Sequence, residues 1–114
     1  MILVDTSVWI DHFRRANPAL IDRLDRGDVG CHLFVMGELA VCSLRDRDEI
    51  LRLIAELPRA RVVNHDEALA LVERRHLAGS GLGWVDVHLA ASARVEGWSL
   101  WTMDERLHRA MTSL

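Results

Sequence analysis

No lysine occurs anywhere in this chain: all 14 basic residues are arginine, set against 17 acids for a formal net charge of −3. Arginine forks suit phosphate oxygens, but codon bias produces the same composition, so this absence assigns no ligand by itself. The negative balance excludes a grip on a phosphate backbone through overall charge, and any such grip needs a local arginine cluster.

Cysteine is scarce as well. Cys31 and Cys42 have neither the CxxC spacing of a redox or zinc motif nor the density of a disulfide scaffold, and both read as small buried hydrophobes. Long apolar runs are missing: none approaches the roughly 20 residues that a membrane-spanning helix requires. Ile2-Leu3-Val4 meets Asp5 too early for a secretory signal, so the expected location is the cytoplasm, with no membrane partner. What remains is 114 residues, half of them apolar, which is enough for one domain over 1–114 and too few for two.

Four short apolar runs predict strands at Met1 to Val4, Cys31 to Val35, Arg61 to Val63 and Ser99 to Thr102. Helical patterns fall between them. Asn17-Pro18 ahead of Leu20, Ile21 and Leu24 reads as a capped helix that Gly27 stops. From Asp46 to Leu57, Ile50, Leu53, Ile54 and Leu57 recur at helical spacing and Pro58 follows. His65 to Ala78 and Val85 to Glu96 continue the pattern on either side of the loop Gly79-Ser80-Gly81-Leu82-Gly83. Strands alternating with helices predict right-handed crossovers and a mainly parallel sheet covered on both faces, with ligands beyond the carboxyl ends of its strands.

Acids stand where that edge is expected. Asp5 directly follows the first strand, and Asp104 lies two residues past Thr102. Glu38 is placed in the first turn of a helix after Leu33-Phe34-Val35, and Asp86 in the first turn after the glycine loop, where the helix dipole favours an anion. Any one of these is explained as a cap; together they predict one shared mouth. Two carboxylates about 4 Å apart repel by roughly 4 kcal/mol at an effective dielectric near 20, so such a cluster needs a cation. Oxygen ligands without a nearby Cys or His pair at zinc spacing select Mg²⁺ or Mn²⁺.

The motifs are Asp5-Thr6-Ser7-Val8-Trp9-Ile10-Asp11, Gly37-Glu38-Leu39-Ala40, Gly83-Trp84-Val85-Asp86-Val87-His88-Leu89-Ala90-Ala91 and Thr102-Met103-Asp104, in that order across nearly the whole chain. In these the chain resembles PIN-domain nucleases, specifically VapC-like toxins. The resemblance implies an α/β fold with a mainly parallel sheet of four to five strands flanked by helices. It implies a Mg²⁺- or Mn²⁺-dependent endoribonuclease, the toxin of a toxin–antitoxin pair, hydrolysing RNA with metal-activated water to leave 5′-phosphate and 3′-hydroxyl ends. Asp5, Glu38, Asp86 and Asp104 match that family's acidic quartet as catalytic residues and metal ligands, and Ser7 and Thr102 match polar positions beside the acids. Implied partners are a cognate antitoxin whose segment blocks the acidic mouth, the RNA substrate and a second copy in a homodimer. Met103 departs from the family pattern, where a polar or basic residue is usual, and the fifth, edge strand after Met111 is expected to be shortened or missing.

Other residues are weighed against blander roles. Arg14, Arg15, Arg106 and Arg109 are candidate RNA contacts, each of which would also suit a solvated helix face. Trp9, Trp84, Trp98 and Trp101 can stack on bases, yet most read as core or interface. His88 lies two residues from Asp86 on one helix and cannot share its site, so no histidine is assigned a catalytic role. Two rival functions remain: a PIN-like module that binds RNA or protein without cutting, and a phosphotransfer domain, which Ser7 in place of a second acid and the absence of lysine disfavour.

Overall fold

The computed structural model describes residues 1–112. Its elements run β1 (Ile2–Val4), α1 (Thr6–Arg14), α2 (Pro18–Asp25), β2 (Val29–Gly30), α3 (Leu33–Ala40), α4 (Arg47–Ala55), α5 (His65–Arg74), α6 (Trp84–Glu96), β3 (Ser99–Trp101) and α7 (Glu105–Thr112). The three strands are parallel in the order β2-β1-β3, with Leu3 opposite Gly30 on one side and Leu100 on the other. Leu3 and Val4 point to opposite faces of β1, as neighbours in a strand must, and both are fully buried, so the centre of the sheet is covered on both sides.

Several elements form as their residues dictate. Asn17 caps α2 by accepting from the amides of Ala19 and Leu20, Pro18 occupies the first turn, and Gly27 lies just past the end. In α6, Leu89 and Ala93 join a cluster with Leu3, Val4, Val8, Trp9 and Leu39, while Val87, Ala90 and Ala91 join a second one with Val63, Leu71 and Leu107. A helix buried on two sides carries apolar residues nearly all round, and this packing holds its first turn in place. Gly30 lies directly against the indole of Trp98, so closely that a Cβ at position 30 would overlap the ring.

The structure corrects three expectations. The run from Cys31 to Val35 is not a strand: β2 ends at Gly30, the imidazole of His32 accepts from the amide of Phe34, and α3 begins at Leu33. A short buried apolar run suits either element, and here a histidine cap decides it. The segment Arg61 to Val63 is also not a strand. Its neighbourhood makes a single parallel bridge between Cys31 and Arg59, after which the Arg61 amide donates to the Glu96 carboxylate at 3.1 Å instead of continuing a ladder. The sheet therefore has three strands among the described residues, not four to five. The edge strand in question after Met111 would lie largely outside the described residues. Finally, Glu38 sits in the last turn of α3, not in the first turn of a helix, because that helix starts five residues before it.

Candidate metal centre

The carboxyl ends of β1 and β3 build the centre of the site. The Asp5 amide donates to the Trp101 carbonyl at 2.9 Å, extending the ladder by one bond and fixing both chain exits side by side. Asp5 is 6% exposed and caps α1 through Oδ1, which accepts the Thr6 amide at 2.8 Å. Its other oxygen, Oδ2, accepts from the hydroxyls of Ser7 at 2.9 Å and Thr102 at 2.7 Å. Three donors to one carboxylate hold it in one orientation.

The same hydroxyls reach Asp104. Thr102 Oγ1 accepts the Asp104 amide and Ser7 Oγ accepts the Met103 amide, both at 3.0 Å. Position 103 thus contributes through its backbone while its side chain, 57% exposed, points to solvent, which accounts for Met being accommodated there. Asp104 Oδ1 caps α7 by accepting from the amides of Arg106 at 2.9 Å and Leu107 at 3.4 Å.

Glu38 joins from α3: its Oε1 accepts from Thr6 Oγ1 at 2.6 Å. Thr6 was not singled out from the sequence, although its place directly after Asp5 at the start of a helix was the available signal. Asp86 joins from the first turn of α6, where Oδ2 accepts the Gly83 amide at 3.0 Å. Its pKa is pushed above the ordinary carboxylate value, first by burial and then by the negative charges of Asp5 and Asp104; the Gly83 amide and Arg106 oppose this.

The four acids thus face one rim, joined through hydroxyls or sensing one another's charge. They do not form a closed cage: among the described residues, no three His, Cys, Asp or Glu side chains stand close enough to enclose a metal ion. The donors fit a hard divalent cation all the same. They are oxygen-only and over-supplied with negative charge, and Mg²⁺ keeps several waters and uses one or two carboxylates rather than an all-protein cage.

The other sequence candidates fall farther out. Arg14 and Arg15 are exposed at the end of α1, about 14 Å along that helix from Asp5. Arg106 reaches the rim, its Nε 3.7 Å from Asp104 Oδ1, and Arg109 is exposed one turn further on. Trp9 is buried, whereas Trp84 is 42% exposed beside Glu38. His88 is buried between the rings of Phe34 and Trp84. Cys31 is buried as expected, and Cys42 is half-buried.

The PIN domain family model matches residues 2–111. Two proteins named Ribonuclease VapC32, from Mycobacterium tuberculosis strains CDC 1551 / Oshkosh and ATCC 25618 / H37Rv, are each 52% identical over 111 residues, covering 96% of this chain and 90% of the relative. A family match over nearly the full length, together with identity at more than half of the aligned positions, settles the lineage: the chain belongs to the PIN-domain family, among its VapC-like members.

Proposed function

We propose that this protein is a divalent-metal-dependent endoribonuclease and the toxin of a toxin–antitoxin pair, acting in the cytoplasm as a single domain. The observation that carries the reading is Asp86, held at the rim by the Gly83 amide, a carboxylate whose ionisation is opposed first by burial and then by Asp5 and Asp104. A protein keeps such repulsion where a cation relieves it. The names of the two VapC32 relatives supply the reaction class.

Asp5, Asp86 and Asp104 would hold Mg²⁺ or Mn²⁺, with Glu38 reaching in from α3. When bound, the ion supplies positive charge for the phosphoryl oxygens and lowers the pKa of a coordinated water. The chain's own residues do the positioning. Ser7 and Thr102 fix the Asp5 carboxylate, Thr6 orients Glu38, and the Asp104 cap ties α7 to the rim. With water as nucleophile, RNA should be left with 5′-phosphate and 3′-hydroxyl ends. Arg14, Arg15 and Arg109, exposed and free of acidic partners among the ion pairs described, would meet the flanking phosphates.

Two apolar surfaces support the proposed partners. Leu33, Val41 and Trp84, exposed by 45%, 87% and 42%, line a shallow strip beside Glu38 suited to a second copy of the chain. Trp9, Phe13, Leu24, Leu53 and Leu57 line a groove between α1, α2 and α4 suited to an apolar antitoxin segment.

The test is to sequence RNA ends after expressing wild type beside Asp86→Asn. New 5′-phosphate ends that vanish in the variant are expected; 2′,3′-cyclic phosphate ends, or identical ends in both, would refute the reading.

A further inference from the structure

Arg106 is the basic side chain that reaches the acidic rim, and it meets the rim's charge from two directions. Its Nε lies 3.7 Å from Asp104 Oδ1, the same oxygen that accepts the Arg106 amide at 2.9 Å. The far end of the side chain rests on bare backbone. At Gly81, where φ is +87°, a Cβ would come within 3.0 Å of both Cδ and Nη1 of Arg106. The glycine loop therefore leaves the space in which this arginine lies, and a Cβ at position 81 would crowd it.

We propose that Arg106 is the rim's built-in counter-ion, holding Asp104 while the rim is free of metal and competing with a divalent cation for that carboxylate. The inference rests on the reading of the rim as a cation site, and goes beyond it by assigning a role to a residue that is not an acid. The geometry suits an exchange. At 3.7 Å, with the arginine side chain 55% exposed and the aspartate 33%, the pair is weak and screened, so the guanidinium can leave at low cost. Cation uptake then proceeds against a partner that is already partly neutralising the rim, so its affinity is set lower than four uncompensated acids would give. Arg106, expected from the sequence as an RNA contact, thereby acts before any RNA arrives. As a positioning residue it works through Asp104, and its effect is read without substrate.

The experiment is Mn²⁺ binding to the full chain without RNA, followed by loss of the free-ion paramagnetic signal, for wild type, Arg106→Gln, Arg106→Lys and Asp5→Asn. Arg106→Gln should bind Mn²⁺ about threefold to tenfold more tightly, the range expected for removing one partly screened charge. Arg106→Lys should stay near wild type. In chelator, Arg106→Gln should melt below wild type, and saturating Mn²⁺ should close that gap, as loss of an ordinary surface arginine would not do. Equal or weaker Mn²⁺ binding by Arg106→Gln, while Asp5→Asn loses binding, would overturn the counter-ion role and leave the rim a cation site. Absence of Mn²⁺ binding in wild type would overturn both.

Discussion

Glu67 and Asp86 hold the same place in two helices and meet opposite fates. Each is the third residue of its helix, α5 or α6, and each carboxylate turns back to accept the amide of the residue that precedes the helix, Asn64 or Gly83, at 3.0 Å. Local capping chemistry is therefore alike. Around Glu67 the tertiary neighbour is Arg61, whose guanidinium grips both carboxylate oxygens at 3.1 and 2.7 Å and, with the Asn64 amide, holds the acid down to about 2. Around Asp86 the neighbours are burial, Asp5 and Asp104, and the acid is pushed up. A cap motif leaves both outcomes open. Burial and the sign of the surrounding charge separate an acid that is held ionised from one whose ionisation is opposed.

The largest expected effect exchanges the two. Asp86→Asn should lower RNA cleavage by about a hundredfold or more while leaving the metal-free melting temperature equal or slightly raised, because it removes a repelled charge. Glu67→Gln should do the reverse, leaving cleavage intact while lowering the melting temperature through the weakened cap and lost ion pair. Paired cleavage assays and thermal melts decide this, and equal stability losses in both would erase the contrast.

An intermediate effect is expected at Thr6, whose hydroxyl is the observed contact to Glu38. Thr6→Val keeps the shape and the helix start, so cleavage should drop by about tenfold with a stability change near 1 kcal/mol. Cleavage at the wild-type rate would show that Glu38 needs no such support.

The smallest effect is in the pH dependence of the metal-free fold. Glu67 has a folded value below its ordinary 4.5, so its contribution is fully present above that value and is lost as pH falls toward about 2. Asp86 has a folded value above its ordinary 3.8, so stability is highest while it is protonated and declines as pH rises through the raised value. Carboxyl chemical-shift titrations should show the two curves displaced to opposite sides of the ordinary range, and in Arg61→Gln the Glu67 curve should move back up.

Much of the rim was legible in the sequence, for physical reasons that also explain the failures. Asp5 and Asp104 follow apolar runs that became β1 and β3, and an acid leaving a buried parallel strand has only the carboxyl edge to occupy. Asp86 was legible because the glycine loop had to end where a helix began. Glu38 was right in its company and wrong in its setting. The apolar run before it folded into the helix that carries it, because His32 supplied a cap that hydrophobicity does not encode. The strand expected at Arg61 to Val63 failed for a similar reason, since the long-range acceptor Glu96 took the amide that a ladder would have used. Thr6 went unremarked because its partner lies 32 positions away.

Gly30 makes no contact with the rim, yet the space its missing side chain leaves bears on the segment that leads there. Trp98 fills that space, lying between the end of α6 and the first residue of β3. A methyl group at position 30 would evict the indole, and the displaced turn would carry with it both the helix that sets Asp86 and the strand that leads to Thr102 and Asp104. Spacing at the rim is thus set in part by a void on the opposite side of the sheet's central strand, where a change of a single carbon should be felt as a loss of catalytic alignment.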